Sequence, residues 1–190
     1  MKKIIVMIIA AFMLAIPSIA QTAKSLELSF DYVKQAGPGS NQWAVWVENS
    51  KGEVVRTLFV TSFTTKGRAR GNEELVRGYK KRPDCVPTGV KNAKADNLTD
   101  KQIDAFTGAT PQANGKQTFK WDFKDAKGKT VAKGKYKICM EATLYGKSVI
   151  MYTGTFSIKG KVGNVALKST ITQKDEKHEG MISNVKAVLK

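Results

Sequence analysis

Leu26, Leu28, Phe30 and Tyr32 alternate with polar positions, and a second alternation over Gln42 to Glu48 puts Trp43, Val45 and Val47 on one face. A period of two marks a strand with one face turned to a core, so both runs are predicted strands. Asn49-Ser50-Lys51-Gly52 has turn composition and the apolar pattern resumes from Glu53 to Phe63, so residues 42–63 read as a β-hairpin. The period then changes. Leu75, Val76 and Tyr79 stand at helical spacing within Asn72 to Lys81, which ends before Pro83. Thr99 with Gln102 forms a capping-box pattern for a second helix, with Ile103 and Phe106 on its apolar side and Gly108 as its stop.

Strand patterns return at Gln117 to Phe123, turn at Asp125-Ala126-Lys127-Gly128, and continue through Tyr136 to Ala142, Ser148 to Ile158, Val165 to Thr172 and Met181 to Leu189. About eight short strands at intervals near ten residues predict a mainly β protein, an antiparallel sandwich with a helical insertion at about residues 68–110. Gln173 to Gly180 is a polar loop. The 170 residues after position 20 suit one domain with its own core.

The start of the chain is a different object. Lys2 and Lys3 precede an apolar run from Ile4 to Ile16, Pro17 breaks it, and Ser18-Ile19-Ala20 supplies the small residues that signal peptidase requires. Residues 1–20 therefore read as a cleavable secretory signal, with residues 21–190 acting in the periplasm or cell envelope. No other stretch approaches the ~18 uninterrupted apolar residues of a membrane span, so no transmembrane segment is expected in the mature chain.

The formal charge of +16 falls to +14 once Lys2 and Lys3 are removed. A balance this basic suits an anionic envelope or an anionic partner. Nucleic acid is not expected as a partner, because the lysines are scattered through turns and strands of an exported chain instead of lining one element. Cys85 and Cys139 are the only cysteines. An even count in an oxidising compartment predicts a disulfide closing about 55 residues, worth on the order of 4 kcal/mol, and the alternative is two separate thiols.

Familiar catalytic patterns are missing. The single histidine, His178, lies between Lys177 and Glu179 and reads as solvated, and there is no Gly-rich phosphate loop, HExxH or serine nucleophile elbow. No metal site and no catalytic set is predicted. Asp122 with Asp125 and Asp175 with Glu176 read as turn and surface groups, and Trp43, Trp46 and Trp121 as core residues.

One heptapeptide stands apart: Asp104-Ala105-Phe106-Thr107-Gly108-Ala109-Thr110. It resembles the flavinylation motif Asp-x-x-Ser/Thr-Gly-Ala-Thr of substrates of the exported FAD:protein FMN transferase, with every fixed position met. Chance would produce this pattern in a chain of this length on the order of once in a few thousand. The resemblance implies FMN joined by a phosphoester to Thr110, with Asp104, Thr107, Gly108 and Ala109 as recognition residues. The residue types suit that chemistry. Gly108 and Ala109 leave space beside the acceptor, and Pro111 biases Thr110 toward an extended conformation that presents its hydroxyl. Asp104 either accepts backbone hydrogen bonds or helps hold the transferase's metal and phosphate. A helix ending near glycine before a polar turn would use the same residues.

Trp121-Asp122, Asp125, Gly128, Val131, Gly134 and Tyr136 resemble the immunoglobulin-like module of the flagellar hook-capping protein, which usually has Gly where Phe123 stands. The bottom-up reading there is two turns, with Trp121 and Tyr136 packed on one sheet. Across the mature chain, Trp46-Val47-Glu48, the run Asp104 to Pro111, Trp121-Asp122, Asp125 with Gly128, and Gly134 to Ala142 resemble the periplasmic domain-of-unknown-function family 2271. That resemblance implies flavin-based electron transfer in the envelope with a membrane-anchored redox partner, the chain acting as a carrier more than as an enzyme. The family commonly has Arg-Glu-His-Gly where Thr143-Leu144-Tyr145-Gly146 stands here, so a role for that histidine does not transfer. The competing expectation is an immunoglobulin-like structural or binding module without cofactor.

Overall fold

The structure is a computed structural model that describes residues 21–34, 41–66, 85–109, 113–143, 149–173 and 180–190. Two sheets face each other. The four-stranded sheet is built from β1 (Leu26–Tyr32), β5 (Gly115–Trp121), β8 (Gly163–Val165) and β10 (Ile182–Leu189), in the order β5-β1-β10-β8. The six-stranded sheet holds β2 (Gln42–Asn49), β3 (Val54–Thr61), β4 (Thr107–Gly108), β6 (Lys135–Thr143), β7 (Val149–Ser157) and β9 (Lys168–Gln173), in the order β4-β3-β2-β6-β7-β9. Every pairing is antiparallel except the short parallel one between β3 and β4.

The alternation sets the core. Leu26, Leu28, Phe30 and Tyr32 of β1 meet Trp43, Val45 and Val47 of β2 and Ile138, Met140 and Ala142 of β6 between the sheets. Aromatic edges interlock there: Phe30 and Trp43 lie edge to face at 5.6 Å, and Trp43 continues to Tyr32 and Phe59. Large rings with offset or edge geometry add about 0.5–1.5 kcal/mol per pair beyond their burial. All three tryptophans are buried, as expected.

Several readings change in detail. The hairpin's second strand stops at Thr61, and Ser62–Lys66 forms a helical turn, α1. At this point the Thr61 and Thr64 hydroxyls both turn onto the Gln42 side-chain carbonyl, at 2.5 and 3.0 Å, and draw the chain off the sheet. Helix α2 (Pro87–Asn92), a 3-10 turn (Ala95–Asn97) and α3 (Asp100–Asp104) follow; the helix expected over Asn72 to Lys81 lies outside the described residues. Trp121 and Tyr136 sit on opposite sheets and meet across the core at 5.7 Å, because each inward-facing position points at the facing sheet.

Phe123 stands at φ 61°, the left-handed region that the glycine of the hook-capping module would adopt freely. That costs a non-glycine residue about 1–2 kcal/mol. The ring is buried and meets Trp121 edge-on at 5.3 Å, and burying a phenylalanine contributes about 1.5–3 kcal/mol, so packing outweighs strain. Asp125 makes the expected turn, its carboxylate accepting from the backbone N–H groups of Lys127 and Lys129.

Candidate functional site

The heptapeptide starts at the end of α3. Thr99 caps this helix, its hydroxyl accepting from Gln102 N at 3.3 Å while the Gln102 side chain accepts from Thr99 N at 2.8 Å, the predicted capping box. Ile103 anchors the helix against a second apolar cluster with Ala44, Trp46, Val60, Val86, Ala95 and Cys139 on the outer face of the six-stranded sheet. Asp104 closes the helix, and its carboxylate lies 3.2 Å from Lys66 Nζ with both side chains more than half exposed. An exposed pair of this kind contributes little to stability.

Beyond Asp104 the chain is pinned again. The Thr107 hydroxyl donates to the Ile103 carbonyl at 2.7 Å and stands 3.0 Å from the Thr65 hydroxyl. Thr107 and Gly108 add a two-residue parallel strand beside Val60 and Thr61. Gly108 is therefore not the helix stop: α3 ends at Asp104, and Gly108 is a strand residue lying on the Phe59 ring, where a Cβ would come within 2.0 Å of a ring carbon. Ala109 is exposed. Thr110 lies outside the described residues. The structure thus brings Asp104, Thr107, Gly108 and Ala109 together at one end of the sheet, joined to a buried polar network of Gln42, Thr61, Thr64 and Thr65.

The predicted disulfide is not formed: Cys85 and Cys139 are two separate buried thiols. The Cys85 carbonyl accepts from the Thr143 hydroxyl, and Thr143 lies four residues along β6 from Cys139, about 13 Å of strand. A disulfide needs Cα atoms within about 7 Å. Burial pushes the Cys139 thiol well above its usual range, with the Glu48 carboxylate adding to the effect.

Two buried carboxylates that sequence reasoning missed lie beneath the insertion. Glu48 accepts from Trp46 Nε1 at 2.7 Å and Asn92 Nδ2 at 2.8 Å and pairs with Lys137 Nζ at 2.6 Å. Burial would raise it, but those donors outweigh burial and hold the carboxyl below the usual range. Glu141 accepts from the backbone N–H groups of Thr88 and Gly89 at 3.1 and 2.8 Å, and here burial prevails and raises it. The two carboxylates clasp α2 onto the sheet. The available signal was their phase: Glu48 alternates with Ala44 and Trp46, apolar residues on a face that would be polar if solvent covered it.

The fold is thus an antiparallel two-sheet sandwich with a helical cover on one outer face, and among the described residues no helix is long and apolar enough to cross a membrane. Residues 23–170 match the family described as "Predicted periplasmic protein (DUF2271)", and the chain belongs to that family. This assigns it to the periplasm or cell envelope. None of the curated proteins and none of the solved structures matches it.

Proposed function

We propose that the protein is an exported flavoprotein that carries FMN covalently on Thr110 and passes electrons between partners in the cell envelope. One observation carries the reading: the motif is complete in sequence from Asp104 to Thr110, and its described residues are firmly held at one end of the six-stranded sheet with Ala109 exposed. The described residues fit such a group. Asp104 is open to an approaching transferase, Ala109 adds no bulk, and Lys66 is a cation beside the motif for a phosphate or a reduced flavin. The flavin, when bound, supplies the redox chemistry. The chain's own residues fix the anchor relative to the sandwich: Ile103 in the outer cluster, Thr107 on the α3 carbonyl, and Gly108 on Phe59.

Attachment is a balanced group transfer. The Thr110 hydroxyl oxygen displaces AMP from FAD, forming the FMN phosphoester, and the hydroxyl proton leaves to a base of the transferase. Covalent attachment suits an exported carrier, which would otherwise lose a diffusible cofactor. Co-expression with a periplasmic FMN transferase is expected to give yellow protein whose colour survives denaturation, and Thr110→Ala to give colourless but folded protein. Colourless wild-type protein under conditions that label a known acceptor overturns the proposal.

A second reading, a cofactor-free sandwich for structural or binding work, has its own support. The contact of Gly108 with Phe59 and the hydrogen bonds of Thr107 explain these two residues by packing alone. The colour test separates the two.

A further inference from the structure

The described motif residues, Asp104 to Ala109, occupy one end of the sandwich, and the described residues of the opposite end are rich in lysine. Strand registers place the 49–53 turn, the 122–135 connection, the 158–163 turn, the start of β1 and the end of β10 together. Hydrogen bonds from Ala23 N to Gly160 O, Lys24 N to Lys190 O, Ile158 N to Gly134 O and Ala126 N to Val55 O tie these segments into one surface. Ten exposed lysines, at positions 24, 51, 124, 127, 129, 133, 135, 159, 161 and 190, share it with four carboxylates, Glu27, Glu53, Asp122 and Asp125. Glu27 and Asp122 are engaged by Lys190 and Lys124, and Asp125 is turned onto its own turn's backbone. The surface is therefore strongly positive.

We infer that this end is a docking surface for an anionic phospholipid bilayer, which would hold the sandwich upright with the motif-bearing end turned away from the membrane. Two observations favour a lipid surface over an acidic protein. The cations are lysines on several separate turns, flexible point charges that suit a diffuse layer of phosphates, whereas recognition of particular carboxylates favours the planar fork of arginine. Val162, 44% exposed, stands among Lys159, Lys161 and the first residues of the described chain, where an apolar side chain can enter the headgroup layer. The inference is independent of the flavin: docking and attachment are read by separate measurements.

The test is vesicle flotation of the mature chain. It is expected to float with phosphatidylglycerol vesicles and not with pure phosphatidylcholine. It should be released when salt rises from about 0.1 M to about 1 M, which shortens the Debye length from about 10 Å to about 3 Å. Each lysine near an anionic surface is worth about a fivefold change, so Lys133→Gln, Lys159→Gln and Lys161→Gln combined should weaken binding on the order of a hundredfold. The same three changes at Lys34, Lys91 and Lys101, exposed positions away from this end, should weaken it by far less at equal net charge. Equal loss from both triple variants would mean net charge alone and overturn the assignment. So would capture by immobilised polyglutamate without vesicle binding, which would assign the end to an acidic protein.

Discussion

At the level of single residues, Gly108 is a position where the proposed recognition motif and a packing requirement coincide. A Cβ at Gly108 would overlap the Phe59 ring, and Phe59 in turn rests on Trp43 and Phe119. Gly108→Ala should therefore lower stability by about 1–3 kcal/mol, the usual cost of overpacking, measured as a shift in the denaturant midpoint. Unchanged stability would show that Phe59 swings away freely and that glycine is kept there for another reason. The cysteines give a second test. Because the two thiols are buried and separate, intact mass should be the same with and without reductant. Thiol reagents should label both positions only after denaturation. A mass gain of two hydrogens on reduction would restore the bridge that cysteine parity suggested. Parity and compartment report only that pairing is available; the fold places Cys139 in the outer cluster and Cys85 beside Thr143.

At the level of elements, the two carboxylates under α2 make opposite contributions to stability as pH changes. Glu48 is held below its ordinary value, so it stabilises the fold above the ordinary glutamate range and loses that contribution as pH falls through its lowered value. Glu141 is raised, so the folded state binds its proton more readily than the unfolded chain does. Its effect is the reverse: stability falls as pH rises from the ordinary glutamate value through the raised one. Cys139 lies between them on β6 and Lys137 faces Glu48, and neither titrates in that acidic range. Melting temperature plotted against pH should fall less steeply above the ordinary glutamate value in Glu141→Gln, and rise less steeply on the acid side in Glu48→Gln, where the lowered Asp122 and Asp125 carboxyls still contribute. Identical profiles for Glu141→Gln and wild type would contradict the account of Glu141.

The long elements were legible in the chain because each alternates over enough residues to show a period, as in β1, β2, β6 and β10. Capping chemistry likewise announced α3 from Thr99 and Gln102. What escaped was short or non-local. β4 has two residues and β8 three, too few for any period, and the apolar pattern runs on to Phe63 although the backbone has left the sheet at Ser62. Glu48 and Glu141 drew no structural reading from the strand pattern. The phase of Glu48 with Ala44 and Trp46 signals a covered face, but the covering residues, Asn92, Thr88 and Gly89, come from elsewhere in the chain and are not identified by any local pattern.

At the level of the whole molecule, the described residues differ between the two ends of the sandwich. The lysine-rich turns occupy one end, and the Asp104 to Ala109 segment leaves the other, with β2, β3 and β6 running between them. A carrier built this way would separate the surface that holds it in the envelope from the group that exchanges electrons. The segment was visible in sequence because its residue types break the strand periodicity around it, although Thr107 and Gly108 also serve the packing of the fold. The central claim is that Thr110 bears FMN. Peptide mass spectrometry of protein produced with an active FMN transferase tests it most directly, since trypsin releases Gln102 to Lys116 as one peptide carrying both Thr107 and Thr110. This peptide should gain the mass of FMN less one water, with fragmentation placing the group on Thr110; an unmodified peptide, or a group on Thr107, would overturn the proposal.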